Sequence, residues 1–137
     1  MKIPTFSAQT EWVIPTELPD LTKVDEIAID LETRDPDLIK KGSGAIIGNG
    51  EVIGIAVATS NYKGYFPIAH HGGGNMDRKM VLKWFQDLLN SPSTKIFHNA
   101  MYDVCWIRAL GLKIQGRIVD TMIAAAVTDE NRFRYDL

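Results

Sequence analysis

Apolar and polar positions alternate over residues 26–32 (E-I-A-I-D-L-E), which puts Ile27, Ile29 and Leu31 on one face of a strand and Glu26, Ala28, Asp30 and Glu32 on the other. Two further apolar runs, 52–59 and 65–68, read as strands, and the turn formers of residues 33–50 read as a loop before them. Short connections favour antiparallel neighbours, so these three strands predict a meander. The period then changes. Val81, Trp84, Phe85, Leu88 and Leu89 follow helical spacing behind Asp77, a candidate cap, and Asn90-Ser91-Pro92 ends that helix. After it the chain predicts a strand at 95–98, a helix at 102–110 closed by Gly111, a strand at 117–119 and a helix over about 121–127. Pro4, Pro15 and Pro19 mark residues 1–24 as an extended lead-in with one short strand near 11–14, ahead of a domain over 25–137. Three strands followed by helix, strand, helix, strand and helix predict an α/β fold: a mixed sheet with helices packed on its faces.

Composition adds only boundaries. With 137 residues, 45% hydrophobic and 23% charged, the chain has the composition of an ordinary globular domain and is long enough to bury a real hydrophobic core. No apolar run reaches transmembrane length and the start has no apolar leader, so no membrane partner and a cytoplasmic location are expected. The lone Cys105 has no partner for an internal disulfide and reads as a small core residue. A net charge of −2 gives none of the basic footprint of a protein that grips duplex DNA non-specifically. An acidic site can still take a phosphate when metal ions reverse its local charge.

The chemistry gathers at two places. Asp30 and Glu32, two apart on a strand, project together and can share a hard divalent cation; taken alone, such a pair is more often a turn start and a solvated carboxylate. In K-I-F-H-N-A-M-Y-D a strand delivers His98 and Asn99 to its C-terminal end, and Asp103 follows in the first turn of a helix. Strand ends and helix N-termini are where α/β sheets collect ligands. Asn99 can contact a nucleotide or simply cap the helix, and capping is the commoner use. His70-His71-Gly72-Gly73-Gly74 lacks the residues of a phosphate loop or a zinc site and reads as a plain loop.

I-A-I-D-L-E-T, followed about seventy residues later by H-N-A-M-Y-D, resembles the first two motifs of the four-carboxylate (DEDD) exonucleases. V-I-G-I-A-V-A, G-Y-F-P-I-A-H, the helix with Trp84 and Leu88, and G-L-K-I-Q-G-R-I-V-D-T-M resemble, in order, the proofreading 3′–5′ exonuclease domain of family A DNA polymerases, especially phage ones. The resemblance covers roughly residues 25–137. It implies a ribonuclease H-like fold truncated at its C-terminus, a three-strand antiparallel meander plus parallel strands flanked by helices. It further implies two divalent cations, Mg²⁺ or Mn²⁺, on Asp30, Glu32 and Asp103. Thr33 and Asn99 match positions that contact the terminal nucleotide, Leu38 is the candidate for a leucine wedged between the last bases, and His98 is a candidate substrate contact. The implied partners are a single-stranded DNA 3′ end and a polymerase domain of the same longer chain, in a bacterial or phage-infected cytoplasm. The alternatives are a stand-alone DEDD-type nuclease acting on RNA or DNA, and a non-catalytic nucleic-acid-binding fragment.

The family's third motif, Tyr-x-x-x-Asp or His-x-x-x-x-Asp, has no match here. Tyr135 and Asp136 are adjacent and lack its spacing, while Asp120 matches an aspartate that is not a metal ligand and reads as a helix cap. The 137-residue chain is therefore expected to be a poor nuclease by itself.

Overall fold

The computed structural model describes residues 11–137. In chain order these form β1 (Glu26–Arg34), α1 (Leu38–Lys41), α2 (Gly44–Ile47), β2 (Glu51–Ala58), β3 (Lys63–Pro67), α3 (Arg78–Asn90), β4 (Thr94–Phe97), α4 (Ala100–Ala109), β5 (Ile118–Asp120) and α5 (Thr121–Thr128). One five-stranded sheet has the order β3-β2-β1-β4-β5. The β1-β2 and β2-β3 pairs are antiparallel, as the predicted meander requires, and β1-β4 and β4-β5 are parallel, with α4 crossing over from β4 to β5.

The alternation in β1 decides which face is core. Ile27, Ile29 and Leu31 are buried, while Ala28, Asp30 and Glu32 are exposed. Ile55, Val57 and Phe66 of β2 and β3 join the buried side, and α3 covers it with Val81, Phe85, Leu88 and Leu89, the stripe expected from helical spacing. Burying each such side chain stabilises the fold by roughly 1.5–3 kcal/mol, which is why the sequence pattern holds in three dimensions. The Asp77 side chain accepts from Met80 N at 2.8 Å and starts α3 as predicted. Trp84 is only half-buried; its indole N–H reaches Pro19 O at 2.7 Å and pins the lead-in. Trp106 and Ile107 of α4 complete the core.

Four expectations need correction. Residues 33–50 are not one loop: β1 runs on through Arg34, and the single-turn helices α1 and α2 follow. Both Asp35 carboxylate oxygens accept from Gly44 N at 3.0 Å, and Asp37 accepts from Asn49 and Lys41, so side chains fold a glycine-rich stretch into local turns. The second helix starts at Ala100, not at residue 102, because a carboxylate from another strand holds its first amides. Residues 11–14 form no strand; Trp12 packs its ring against Tyr65, with centroids 5.9 Å apart, instead of joining the sheet edge. Cys105 is half-buried rather than a core residue. Residues 1–10 of the lead-in lie outside the described residues.

The opposite face of the sheet is open. Ala28, Asp30, Ala56, Tyr65 and His98 line a cavity of about 660 Å³ on it. Ala28 and Ala56, small residues of β1 and β2, lie beside the exposed Asp30 in its lining. Among the described residues no helix is long and apolar enough to cross a membrane.

Candidate active site

β1 pairs with β4 only over Glu26–Ala28, after which the two strands part. Beyond that point the β4-side edge of β1 has no strand to receive its amides. The Leu31 N–H is buried, and Asp103 of α4 takes it, with Oδ1 3.0 Å from the amide nitrogen. A buried amide without a partner is costly, so this bond fixes the start of α4 against β1. It also sets the Asp103 carboxylate at the backbone between Asp30 and Glu32, whose side chains project from the neighbouring positions.

Asp103 is 3% exposed. Burial pushes its carboxyl up to about 6; the Leu31 amide opposes the shift, and the Asp30 charge adds to it. Among the described residues no ion pair joins these three acidic groups to a cationic side chain. The nearest cation in sequence, Arg34, pairs with Glu51 and donates to Ala69 O at 3.2 Å. Among the described residues no three His, Cys, Asp or Glu side chains are grouped so that they could hold a metal ion. The donors are nonetheless hard oxygens, two of them exposed, which suits a cation such as Mg²⁺ that takes one or two carboxylates and completes its shell with water and phosphate oxygens.

The other sequence candidates are spread around this point. Thr33 follows Glu32 directly, where the β1-β2 register shifts, and its hydroxyl lies 2.7 Å from Tyr102 OH. Leu38 opens α1 and is 42% exposed. His98 contacts Thr121 Oγ1 at 2.9 Å and, through its other ring nitrogen, the Tyr135 carbonyl. Asn99 stands before α4 with φ 65°, a left-handed conformation, and its side chain makes no cap.

The cap that Asn99 does not make comes from Asp120. Its carboxylate accepts from Asn99 N at 3.1 Å and Ala100 N at 2.8 Å, and also from Met122 N at 2.9 Å and Ile123 N at 3.4 Å in α5. One aspartate therefore starts two helices. Burial works against its ionisation, but the amides, led by Ala100, outweigh it and hold the carboxyl below its ordinary range. The cap of α5 was legible in the sequence, whereas that of α4 follows from Phe97 pairing with Asp120 across β4 and β5. Asp120→Ala is expected to lower stability by about 1–3 kcal/mol in urea unfolding, more than a single cap would cost.

Tyr102 and Asp35 escaped the sequence reading. Tyr102 OH donates to Asp35 Oδ2 at 3.0 Å, so a helix next to the carboxylates is tied to the start of the α1–α2 segment. Tyr102 immediately precedes Asp103, and that adjacency was the one signal available.

A twisted mixed sheet with acidic groups along its central strand defines the class: a ribonuclease H-like α/β fold. Its solved neighbours include NrnC of Brucella melitensis with bound Mg²⁺ (TM-score 0.59, 23% identity, covering 86% of this chain and 52% of that one). The Aedes aegypti Nibbler EXO domain is another (TM-score 0.55, 15% identity, 86% of this chain and 54% of that one). The model of the 3′–5′ exonuclease of family A DNA polymerases matches residues 16–136. A DNA-directed DNA polymerase of Pseudomonas phage M6 is 34% identical over 123 residues, which cover 82% of this chain and 18% of that polymerase. The chain belongs to this 3′–5′ exonuclease family. It spans less than a fifth of the phage polymerase and about half of the solved neighbours.

Proposed function

We propose that this domain hydrolyses the 3′ ends of single-stranded DNA to nucleoside 5′-monophosphates, in the proofreading part of a longer DNA polymerase, with Asp30, Glu32 and Asp103 as its cation-holding residues. The observation that carries this reading is the Leu31 amide: it anchors the buried Asp103 carboxylate between two exposed carboxylates on the same strand. When bound, divalent cations would activate water and stabilise the leaving oxygen of a phosphodiester. Asp30 and Glu32 supply the exposed oxygens for them. Asp103 supplies a third carboxylate whose place is set by a backbone bond rather than by a free side chain. Thr33 and Asn99 flank the group where a terminal nucleotide would lie, with His98 at the end of β4, and the exposed Leu38 suits a wedge between bases.

A single-stranded oligonucleotide labelled at its 5′ end tests this. With Mg²⁺ or Mn²⁺ the label is expected in a ladder shortening one nucleotide at a time, and EDTA should stop it. Asp30→Asn should lower the rate by about 10²–10³-fold or more, since the reaction depends on placed charge. Hydrolysis that continues in EDTA, or that Asp30→Asn leaves intact, would remove these carboxylates from the mechanism. Shortening of RNA alone would reassign the substrate class.

A further inference from the structure

A chain of contacts leads from the loop after β3 to Glu32. His70 is held by Asn75, whose side chain accepts from the His70 amide at 2.7 Å and donates to its carbonyl at 2.8 Å. The imidazole Nε2 in turn meets the Tyr65 hydroxyl. Tyr65 lies in one cross-strand row with Ala56 and Asp30, so phenol and carboxylate leave the same face of the sheet, and all three residues line the cavity. The phenol does not stay above Ala56. A Cβ at Gly54 would lie 1.9 Å from the Tyr65 hydroxyl oxygen, so the hydroxyl fills the space that glycine leaves open. Gly54 stands opposite Glu32 in the β1-β2 ladder, which sets the hydroxyl beside Glu32. Burial, and after it the Glu32 charge, raises the Tyr65 phenol above its ordinary range, so its proton is present at neutral pH.

We infer that Tyr65, carried by His70, is a positioning residue for Glu32: its hydroxyl donates to one Glu32 carboxylate oxygen and leaves the other to act with Asp30 on a cation. This rests on the reading of the carboxylates as the reaction centre. An ionised carboxylate only accepts, so the single phenol proton goes to Glu32. The phenol oxygen then accepts from His70, and the imidazole carries its proton on Nε2. Glu32 is exposed, and among the described residues no ion pair holds it. A donor fixed on the sheet removes side-chain freedom that a cation would otherwise have to freeze. The loop that begins at His70-His71, plain in sequence, thereby has the task of placing one imidazole.

The test is the affinity of the chain for Mn²⁺ without substrate, read from the electron paramagnetic resonance signal of the free ion. Groups that orient a metal-binding side chain are worth about 10–100-fold in metal affinity, so Tyr65→Phe should weaken binding about tenfold. That change keeps the ring that packs on Trp12. His70→Ala should weaken binding to a similar degree, and His70→Gln, whose amide N–H can take the place of Nε2–H, should keep the native affinity. In a Glu32→Gln background Tyr65→Phe should have no further effect, because the phenol acts only through Glu32. Long-range proton–nitrogen spectra of the native protein should show the His70 proton on Nε2. Melting temperatures without metal separate out a purely structural role: Tyr65→Phe that melts lower yet binds Mn²⁺ as the native protein does would overturn the proposal. So would an undiminished tenfold loss in the Glu32→Gln background, or a His70 proton found on Nδ1 alone. Asp30→Asn tells the two readings apart. If it abolishes Mn²⁺ binding while Tyr65→Phe changes nothing, only the role of Tyr65 falls; if it leaves binding intact, the carboxylate site falls and the role of Tyr65 with it.

Discussion

Mn²⁺ is expected to raise the melting temperature of the native protein and to leave that of Asp30→Asn unchanged. The reason is linkage: a cation that binds the folded carboxylates and not the unfolded chain stabilises by about 2.7 kcal/mol at a concentration one hundred times its dissociation constant, or several degrees for a domain of this size. Among the described residues the acidic group has no ion-pair partner, and Arg34 is committed to Glu51 and Ala69. Asp30 is the residue to remove. It is exposed, so its loss disturbs little packing, and its charge is one of those that raise Asp103. Asp30→Asn should therefore show a slightly higher melting temperature than the native protein without metal and no further gain with it. Scanning calorimetry with and without Mn²⁺ measures both terms. An equal Mn²⁺ shift in the two proteins would locate the stabilising site elsewhere.

Asp103→Asn is expected to be more stable than the native protein at pH 8, and no more stable at pH 4. The folded carboxyl titrates near 6, above its ordinary 3.8, because burial and the Asp30 charge disfavour its ionised form. Between those two values the folded chain binds more protons than the unfolded one, so stability falls as pH rises. The contribution is fully present below 3.8 and is lost as pH passes through 6. An asparagine keeps an oxygen for the Leu31 amide and carries no charge. The variant's advantage should grow from nothing to about 1–2 kcal/mol, the lower range allowing for solvent screening of the charge. Urea unfolding at half-unit intervals from pH 4 to 8 reads this directly. A constant difference between the two proteins would show that burial at this position does not govern stability. The same variant should lose cation-dependent hydrolysis, a result that would place Asp103 among residues kept for function at the expense of stability.

The sheet and its core were largely present in local pattern. Period-two alternation in residues 26–32 requires that Asp30 and Glu32 leave the same face, whatever surrounds them. Period-3.6 spacing in residues 81–89 likewise requires one buried stripe, and Asp77 sits where an N-cap must. These properties repeat over neighbouring residues, so the chain carries them without reference to distant parts. The resemblance of the two acidic segments to a nuclease family then pointed to Asp103 as their companion, although no local rule connects it with them.

What joins the site was decided by tertiary structure. The Leu31–Asp103 bond spans 72 residues and exists because β4 leaves β1 after Ala28, a fact of strand register that no window of sequence contains. Asp120 caps α4 only because β5 lies beside β4, with Asp120 opposite Phe97. The Thr33–Tyr102–Asp35 row needs the end of β1, the first turn of α4 and the start of the α1–α2 segment in one place, 67 residues separating Asp35 from Tyr102. In each case a polar group left over by one element is satisfied by another far along the chain. Hydrophobic pattern determines which faces are buried, and it is silent about which buried amide or hydroxyl will meet which carboxylate, because that depends on the register in which the faces come together.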